Sequence, residues 1–127
     1  MHQGLGIVLV IDDEMMVGEL ARDILQRFGY TVLLVNNGEQ AIDLYCRRSK
    51  EIVAVVLDMA MPGMDGREVF HRLRAVNANV KVIISSGYSQ DQDADDLLKL
   101  GADGFVQKPY RIAELVKVVG EAIAGRK

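Results

Sequence analysis

Five short runs of β-branched and aliphatic residues, each answered by a stretch of helical periodicity, constrain this 127-residue chain more than any other feature. Ile7-Val8-Leu9-Val10-Ile11 contains no polar position, the pattern of a strand covered on both faces. From Glu14 the period changes: Val17, Leu20, Ala21, Ile24, Leu25 and Phe28 follow i, i+3, i+4 spacing, and Gly29 stops the helix. Thr31 to Val35 predicts a second strand, Asn36-Asn37-Gly38 a turn, and Glu39 to Arg48 a helix burying Ala41, Leu44 and Tyr45. Ile52 to Leu57 predicts the third strand; Val69, Phe70 and Leu73 mark the third helix, and Val80 to Ser85 a fourth strand. Ser89 to Leu100 carries four Asp and few apolar anchors, so this fourth helix is expected to be the least stable, although Asp91 and Asp93 favour its first turn through the dipole. Gly104 to Gln107 predicts a short fifth strand, and Leu115, Val116, Val119, Ala122 and Ile123 form the inner face of a last helix. This alternation predicts an α/β fold, a parallel sheet covered on both faces by right-handed crossover helices.

The chain has the length of one domain, 1–127 with a core of about 6–125. Half of its residues are hydrophobic, yet no apolar run approaches the roughly 18 residues of a membrane span, so no membrane contact is expected. Met1-His2-Gln3-Gly4 lacks the basic and apolar segments of a secretory signal, which makes the cytoplasm the expected location. A single cysteine, Cys46, cannot form an internal disulfide and reads as a reduced, part-buried helix residue. The formal net charge of -3 argues against a nucleic-acid-binding surface.

The chemistry lies where the strands end. Ile52 to Leu57 stops abruptly at Asp58, and Pro62, Gly63 and Gly66 then force the backbone to turn, which places the carboxylate at the carboxyl edge of the sheet, where α/β folds bind ligands. Asp12 and Asp13 end the first strand and Lys108 ends the fifth. Two carboxylates about 4 Å apart repel by roughly 4 kcal/mol at an effective dielectric near 20, so a cluster of three requires positive charge. The donors are all oxygen, with no Cys or His nearby, which suits a hard divalent cation such as Mg²⁺ (Mn²⁺ is the alternative) that keeps waters and a phosphate. A carboxylate is a nucleophile towards phosphorus, so the pattern points to an aspartyl phosphate.

Asp12-Asp13-Glu14 after the first strand, Asp58 through Pro62 and Gly66 after the third, Ser86-Gly87 after the fourth and Lys108-Pro109 after the fifth resemble the receiver domains of two-component response regulators. The resemblance spans residues 6 to 125. It implies a flavodoxin-like, CheY-like sheet of order 2-1-3-4-5 with five helices. It implies Asp58 as phosphoacceptor, Asp12, Asp13, Asp58 and the Ala60 carbonyl as Mg²⁺ ligands, Ser86 as donor to a phosphoryl oxygen, and Lys108 as partner of the phosphate. Pro109 would follow Lys108 through a cis bond, Gly66 would serve the turn, and Ser86 and Phe105 would form the conformational switch. Ala60 cannot orient a water and Tyr88 could shield the phosphorus, which implies slow hydrolysis of the acyl phosphate.

The implied partner is a histidine kinase or a histidine phosphotransfer domain, because His2 and His71 lie in no phosphoacceptor-like context. The resemblance also implies a monomer, or a weak homodimer through the fourth helix, fifth strand and fifth helix. Ser85-Ser86-Gly87-Tyr88-Ser89 and Gln107-Lys108-Pro109-Tyr110 look more like receivers appended to hybrid sensor histidine kinases than those fused to DNA-binding domains. A stand-alone regulator, or a receiver cut from a regulator with an output domain, is the alternative.

Other readings fit less well. A phosphatase of the haloacid dehalogenase type wants an Asp where Ala60 stands. A flavin-binding module would not place Asp12-Asp13 against phosphate, and a pseudo-receiver would not need the full set of acids, Ser86 and Lys108. Asp13 alone could be an N-cap and Asp65-Gly66 turn chemistry. Gap filling is the default for Met59, Met61, Met64, Met15 and Met16, with a partner-docking rim as the alternative. Gly4-Leu5-Gly6 precedes a strand, which excludes a dinucleotide fingerprint.

Overall fold

The computed structural model describes residues 4–87 and 92–125. Its elements alternate as expected: β1 (Ile7–Ile11), α1 (Met15–Arg27), β2 (Thr31–Val35), α2 (Gly38–Arg48), β3 (Ile52–Asp58), α3 (Gly66–Val76), β4 (Val82–Ser86), α4 (Gln92–Lys99), β5 (Gly104–Gln107) and α5 (Ile112–Ala124). All four strand pairings are parallel, and the sheet order is β2-β1-β3-β4-β5, the flavodoxin-like, CheY-like arrangement. The connection after β2 places β1 beside β3, and the loops after β1 and β3 therefore open next to each other at the carboxyl edge.

Successive side chains of a strand point to opposite faces, and two apolar layers result. Leu9, Ile11, Val55, Leu57 and Ile84 pack with Tyr45, Phe70, Leu73 and Leu97 beneath α2, α3 and α4. Val8, Val10, Val56, Ile83 and Val106 pack with Ile24, Leu25, Leu115 and Val119 beneath α1 and α5. Each fully buried aliphatic side chain contributes about 1.5–3 kcal/mol, and both faces are needed because no strand carries a polar side.

Local signals set the helix ends. Asn37 and Asp65 cap α2 and α3 by accepting from Gln40 N–H at 2.8 Å and Glu68 N–H at 3.0 Å. Asp65 thus belongs to the turn, as expected, and also caps α3, which the sequence suggested only for Asp13. Gly29 has φ 101°, a conformation that ends α1 without a side-chain clash.

Several expectations are corrected. The fourth strand runs from Val82 to Ser86, two residues later at its start than Val80. Leu20 and Phe28 are not on the inner face of α1 but 42% and 47% exposed. Gly18, Ala21, Ile24 and Leu25 occupy that face instead, because the helix sits so close to β2 that a Cβ on Gly18 would lie 2.7 Å from Leu34 Cδ1. Cys46 is exposed rather than part-buried. Met59 and Met61 fill the core, whereas Met15 and Met16 are exposed. Asp91, like Tyr88 and His2, lies outside the described residues. Among the described residues no helix is long and apolar enough to cross a membrane.

Candidate functional site

At the carboxyl edge of the sheet the backbone of β1 and β3 delivers Asp12 and Asp58, only 2% and 1% exposed, into one cleft. Asp12 N–H donates to Val35 C=O (3.1 Å), and Met59 N–H to Ser85 C=O (3.1 Å), so the sheet ladder holds both carboxylates at their bases. Gly66 lets the loop after Asp58 close back on itself. A Cβ there would lie 2.6 Å from Met59 Sδ, 3.0 Å from Met59 Cα and 3.3 Å from the Asp58 carbonyl oxygen.

Lys108 enters the same cleft from β5. Its ammonium lies 3.1 Å from Asp12 Oδ2, 3.1 Å from Asp58 Oδ1 and 3.2 Å from Glu14 Oε1. Its own N–H donates to the Ser86 carbonyl at 2.8 Å, and the Lys108–Pro109 peptide is cis. Burial by itself would lower the Lys108 pKa. The adjoining Asp58 and Asp12 carboxylates outweigh that and hold the amine above its ordinary value. The ammonium is therefore fully charged at neutral pH, and its contribution to stability is lost only as pH rises through that elevated value.

Each buried carboxylate has one anchored oxygen. Asp12 Oδ1 accepts from Glu14 N–H at 2.9 Å and Asp58 Oδ1 from Ala60 N–H at 3.1 Å. Among the described residues the second oxygens, Asp12 Oδ2 and Asp58 Oδ2, are buried without a hydrogen bond; Asp12 Oδ2 lies 3.1 Å from the ammonium. Carboxylate oxygens of Asp12, Glu14 and Asp58 all lie within 4.8 Å of one another. Orphaned buried oxygens of this kind are costly unless a cation completes them, and an all-oxygen donor set fits Mg²⁺.

Asp13 is exposed. Its pKa is raised by the loss of surrounding water and then by Asp58, which puts it within electrostatic reach of the cleft from the solvent side. It does not cap α1, since Glu14 occupies the N-cap position and makes no side-chain cap bond. Glu14, which the sequence places only at the end of the Asp12-Asp13-Glu14 motif and the start of the helical period, turns its side chain back to Lys108. Ser86 is buried at the end of β4. Phe105 is half-buried and packs against the α2–α4 core layer. Sequence reasoning also missed a buried hydrogen bond between Ser85 Oγ and Tyr110 Oη, 2.7 Å long. Burial pushes the Tyr110 hydroxyl up to about 12, so it is neutral at physiological pH.

Burial raises the pKa of Asp12 from 3.8 to about 6; the Asp58 charge adds to this, while the Glu14 N–H and Lys108 pull the other way. A carboxyl that binds its proton more tightly in the folded chain stabilises below about 4 and loses that contribution as pH rises to about 6. The difference is about 3 kcal/mol. Asp12→Asn removes this titration, so its stability relative to wild type should grow by roughly that amount between pH 4 and pH 7 in metal-free buffer. Urea unfolding across that range checks it, and a pH-independent difference would refute it.

Residues 8–120 match the family model described as the response regulator receiver domain. The chain is 32% identical over 108 residues to sporulation initiation phosphotransferase F of Bacillus subtilis, covering 85% of this chain and 86% of that protein. It is 33% identical over 120 residues to the sensor kinase CckA of Brucella abortus, covering 94% of this chain but 13% of the kinase. A crystal structure of a response regulator receiver domain protein from Clostridium thermocellum superposes with a TM-score of 0.90 at 26% identity, covering 95% of this chain and 96% of that one.

Proposed function

The chain belongs to the response regulator receiver domain family of two-component signalling, and from that premise we propose that it accepts a phosphoryl group from a phosphohistidine onto Asp58. The observation that carries the reading is the asymmetry of that carboxylate. Oδ1 is held by the Ala60 N–H and Lys108, whereas among the described residues Oδ2 is buried without a hydrogen bond. In the proposed transfer Oδ2 attacks phosphorus, a P–O bond forms as the donor's P–N bond breaks, and the imidazole departs with the electron pair. Lys108 then exchanges its contact with the carboxylate for one with the phosphoryl oxygens, and Ser86 donates its hydroxyl to another. That rearrangement, with Phe105 following, is the proposed switch.

Asp12, Asp13, Asp58 and the Ala60 carbonyl are the proposed Mg²⁺ ligands. Asp12 fits best by its orphaned oxygen, and the Glu14 carboxylate adds negative charge at the same point. When bound, the ion neutralises charge on the phosphoryl oxygens. The donor is proposed to be a histidine kinase or a histidine phosphotransfer domain. Exposed Met15 and Met16 open α1 directly after Asp12-Asp13-Glu14 and offer the donor an apolar rim. The rim favours docking over gap filling for the two methionines. A cytoplasmic location follows from such a donor.

We assign the receiver to a hybrid sensor kinase, supported by the wording around Ser86 and Lys108 and by the similarity to CckA. A stand-alone regulator is the second reading, favoured by similarity to phosphotransferase F over most of that protein's length.

The test is incubation with acetyl phosphate, followed by intact-mass spectrometry. The expected result is one phosphoryl adduct with Mg²⁺ and none after chelation. An adduct indifferent to Mg²⁺, or no adduct, would count against the proposal.

A further inference from the structure

Phosphoryl transfer onto Asp58 does not by itself require two neutral hydroxyls buried behind the cleft, yet Ser85 and Tyr110 provide them, 0% and 8% exposed and 2.7 Å apart. Phe in place of Tyr110 and Ala in place of Ser85 would fill nearly the same space without desolvating polar atoms, which costs free energy unless the atoms pair. Tyr110 belongs to the apolar layer under α1 and α5 together with Val106 and Leu115.

The location of the pair suggests its use. Ser85 is the register partner of Asp58 across the parallel β3–β4 ladder, so the two side chains stand on the same face of the sheet on neighbouring strands. Tyr110 follows Lys108 by two residues. The turn that carries the amine is therefore tied to the end of β4 at both sides: Lys108 N–H donates to the Ser86 carbonyl at 2.8 Å, and the Tyr110 hydroxyl meets Ser85. Between these ties the lysine stem reaches Asp12 and Asp58, each at 3.1 Å. A four-carbon stem is flexible, and the position of its base decides where the ammonium can go.

We propose that the Ser85–Tyr110 hydrogen bond is a positioning device. It fixes the turn bearing Lys108 against the strand end bearing Ser86, so that amine and hydroxyl meet the same phosphoryl group. This rests on the reading of Asp58 as acceptor and Lys108 as phosphoryl partner. Neither Ser85 nor Tyr110 touches the reacting atoms.

The experiment compares Tyr110→Phe, Ser85→Ala, the double variant and Ser85→Thr with wild type, at a temperature where circular dichroism shows all of them folded. Misplacing a reacting group by about 1 Å can cost up to ~100-fold; for a loosened turn we expect about 3- to 10-fold slower labelling by acetyl phosphate and a similar loss of beryllofluoride affinity. The double variant should be no worse than either single one, because both remove the same bond. Ser85→Thr keeps the hydroxyl and should behave as wild type. Mg²⁺ affinity, measured by calorimetry, should not fall, since the proposed metal ligands lie on other loops and a less closely held ammonium competes less for Asp12 and Asp58; a general loosening would weaken it. Wild-type rates in Tyr110→Phe, multiplicative losses in the double variant, or a matching loss of Mg²⁺ affinity would each overturn the positioning role. Asp58→Asn is run alongside. If wild type takes no label, or Asp58→Asn takes as much, the acceptor reading itself falls and takes this proposal with it.

Discussion

Lys108→Met is expected to cost the metal-free protein roughly 3–5 kcal/mol at pH 7, the range for removing one partner of a buried ion pair. Methionine keeps most of the stem volume, so the loss reports charge rather than packing. The ammonium is the cation shared by Asp12 and Asp58, both almost fully buried, and its removal leaves two like charges facing each other. Glu14 adds little to this loss, because its side chain is 62% exposed and water screens it. Two conditions should restore stability. Saturating Mg²⁺ supplies the missing positive charge, worth about 2.7 kcal/mol at 100 times its dissociation constant. Acidification towards pH 5 protonates Asp12, whose pKa is already about 6 and should rise further without the amine. Urea unfolding of both proteins at pH 5 and pH 7, with Mg²⁺ and with chelator, checks this. An unchanged midpoint at pH 7, or a loss that neither Mg²⁺ nor acid reduces, would show that the carboxylates do not need Lys108.

The order of elements and the convergence of Asp12, Asp58 and Lys108 were legible because they depend on patterns confined to short stretches. A strand buried on both faces has no polar interruption, and a carboxylate closing such a strand can only sit at its end. What stayed hidden depends on distances between stretches. Leu20 and Phe28 satisfy the helical period as well as Ile24 does, but the close approach at Gly18 settles which line of α1 meets the sheet, and periodicity does not reveal it. Glu14 was read as the first helical residue. Its reach back to Lys108 crosses 94 positions of sequence and follows from the placement of β5. The Ser85–Tyr110 bond needs the register of β3 on β4 and the path of the turn after β5, neither of which leaves a mark on the sequence. The methionines divide for the same reason: Met59 and Met61 fall under the Asp58 loop, whereas Met15 and Met16 open a helix whose inner face is already filled.

Asp58→Asn is expected to abolish phosphoryl labelling by acetyl phosphate and, at the same time, to make the metal-free protein more stable at pH 7. The amide keeps the shape of the carboxylate and can still accept from Ala60 N–H, but it lacks the anionic oxygen that the proposed attack on phosphorus requires. Stability should rise because Asp12 and Asp58 repel each other, an interaction of roughly 4 kcal/mol for charges about 4 Å apart at an effective dielectric near 20. Lys108 gives part of this back by losing one partner, although Asp12 and Glu14 still hold it. A net gain of about 1–3 kcal/mol is the expected balance. Asp12 should also become easier to ionise, since the Asp58 charge is one of the causes that raise its pKa. Intact-mass spectrometry and urea unfolding of the same preparation read both effects. Retained labelling would place the acceptor elsewhere. Lost labelling with lowered stability would mean a damaged fold, whereas lost labelling with raised stability can arise only where the reactive group and the source of strain are the same carboxylate.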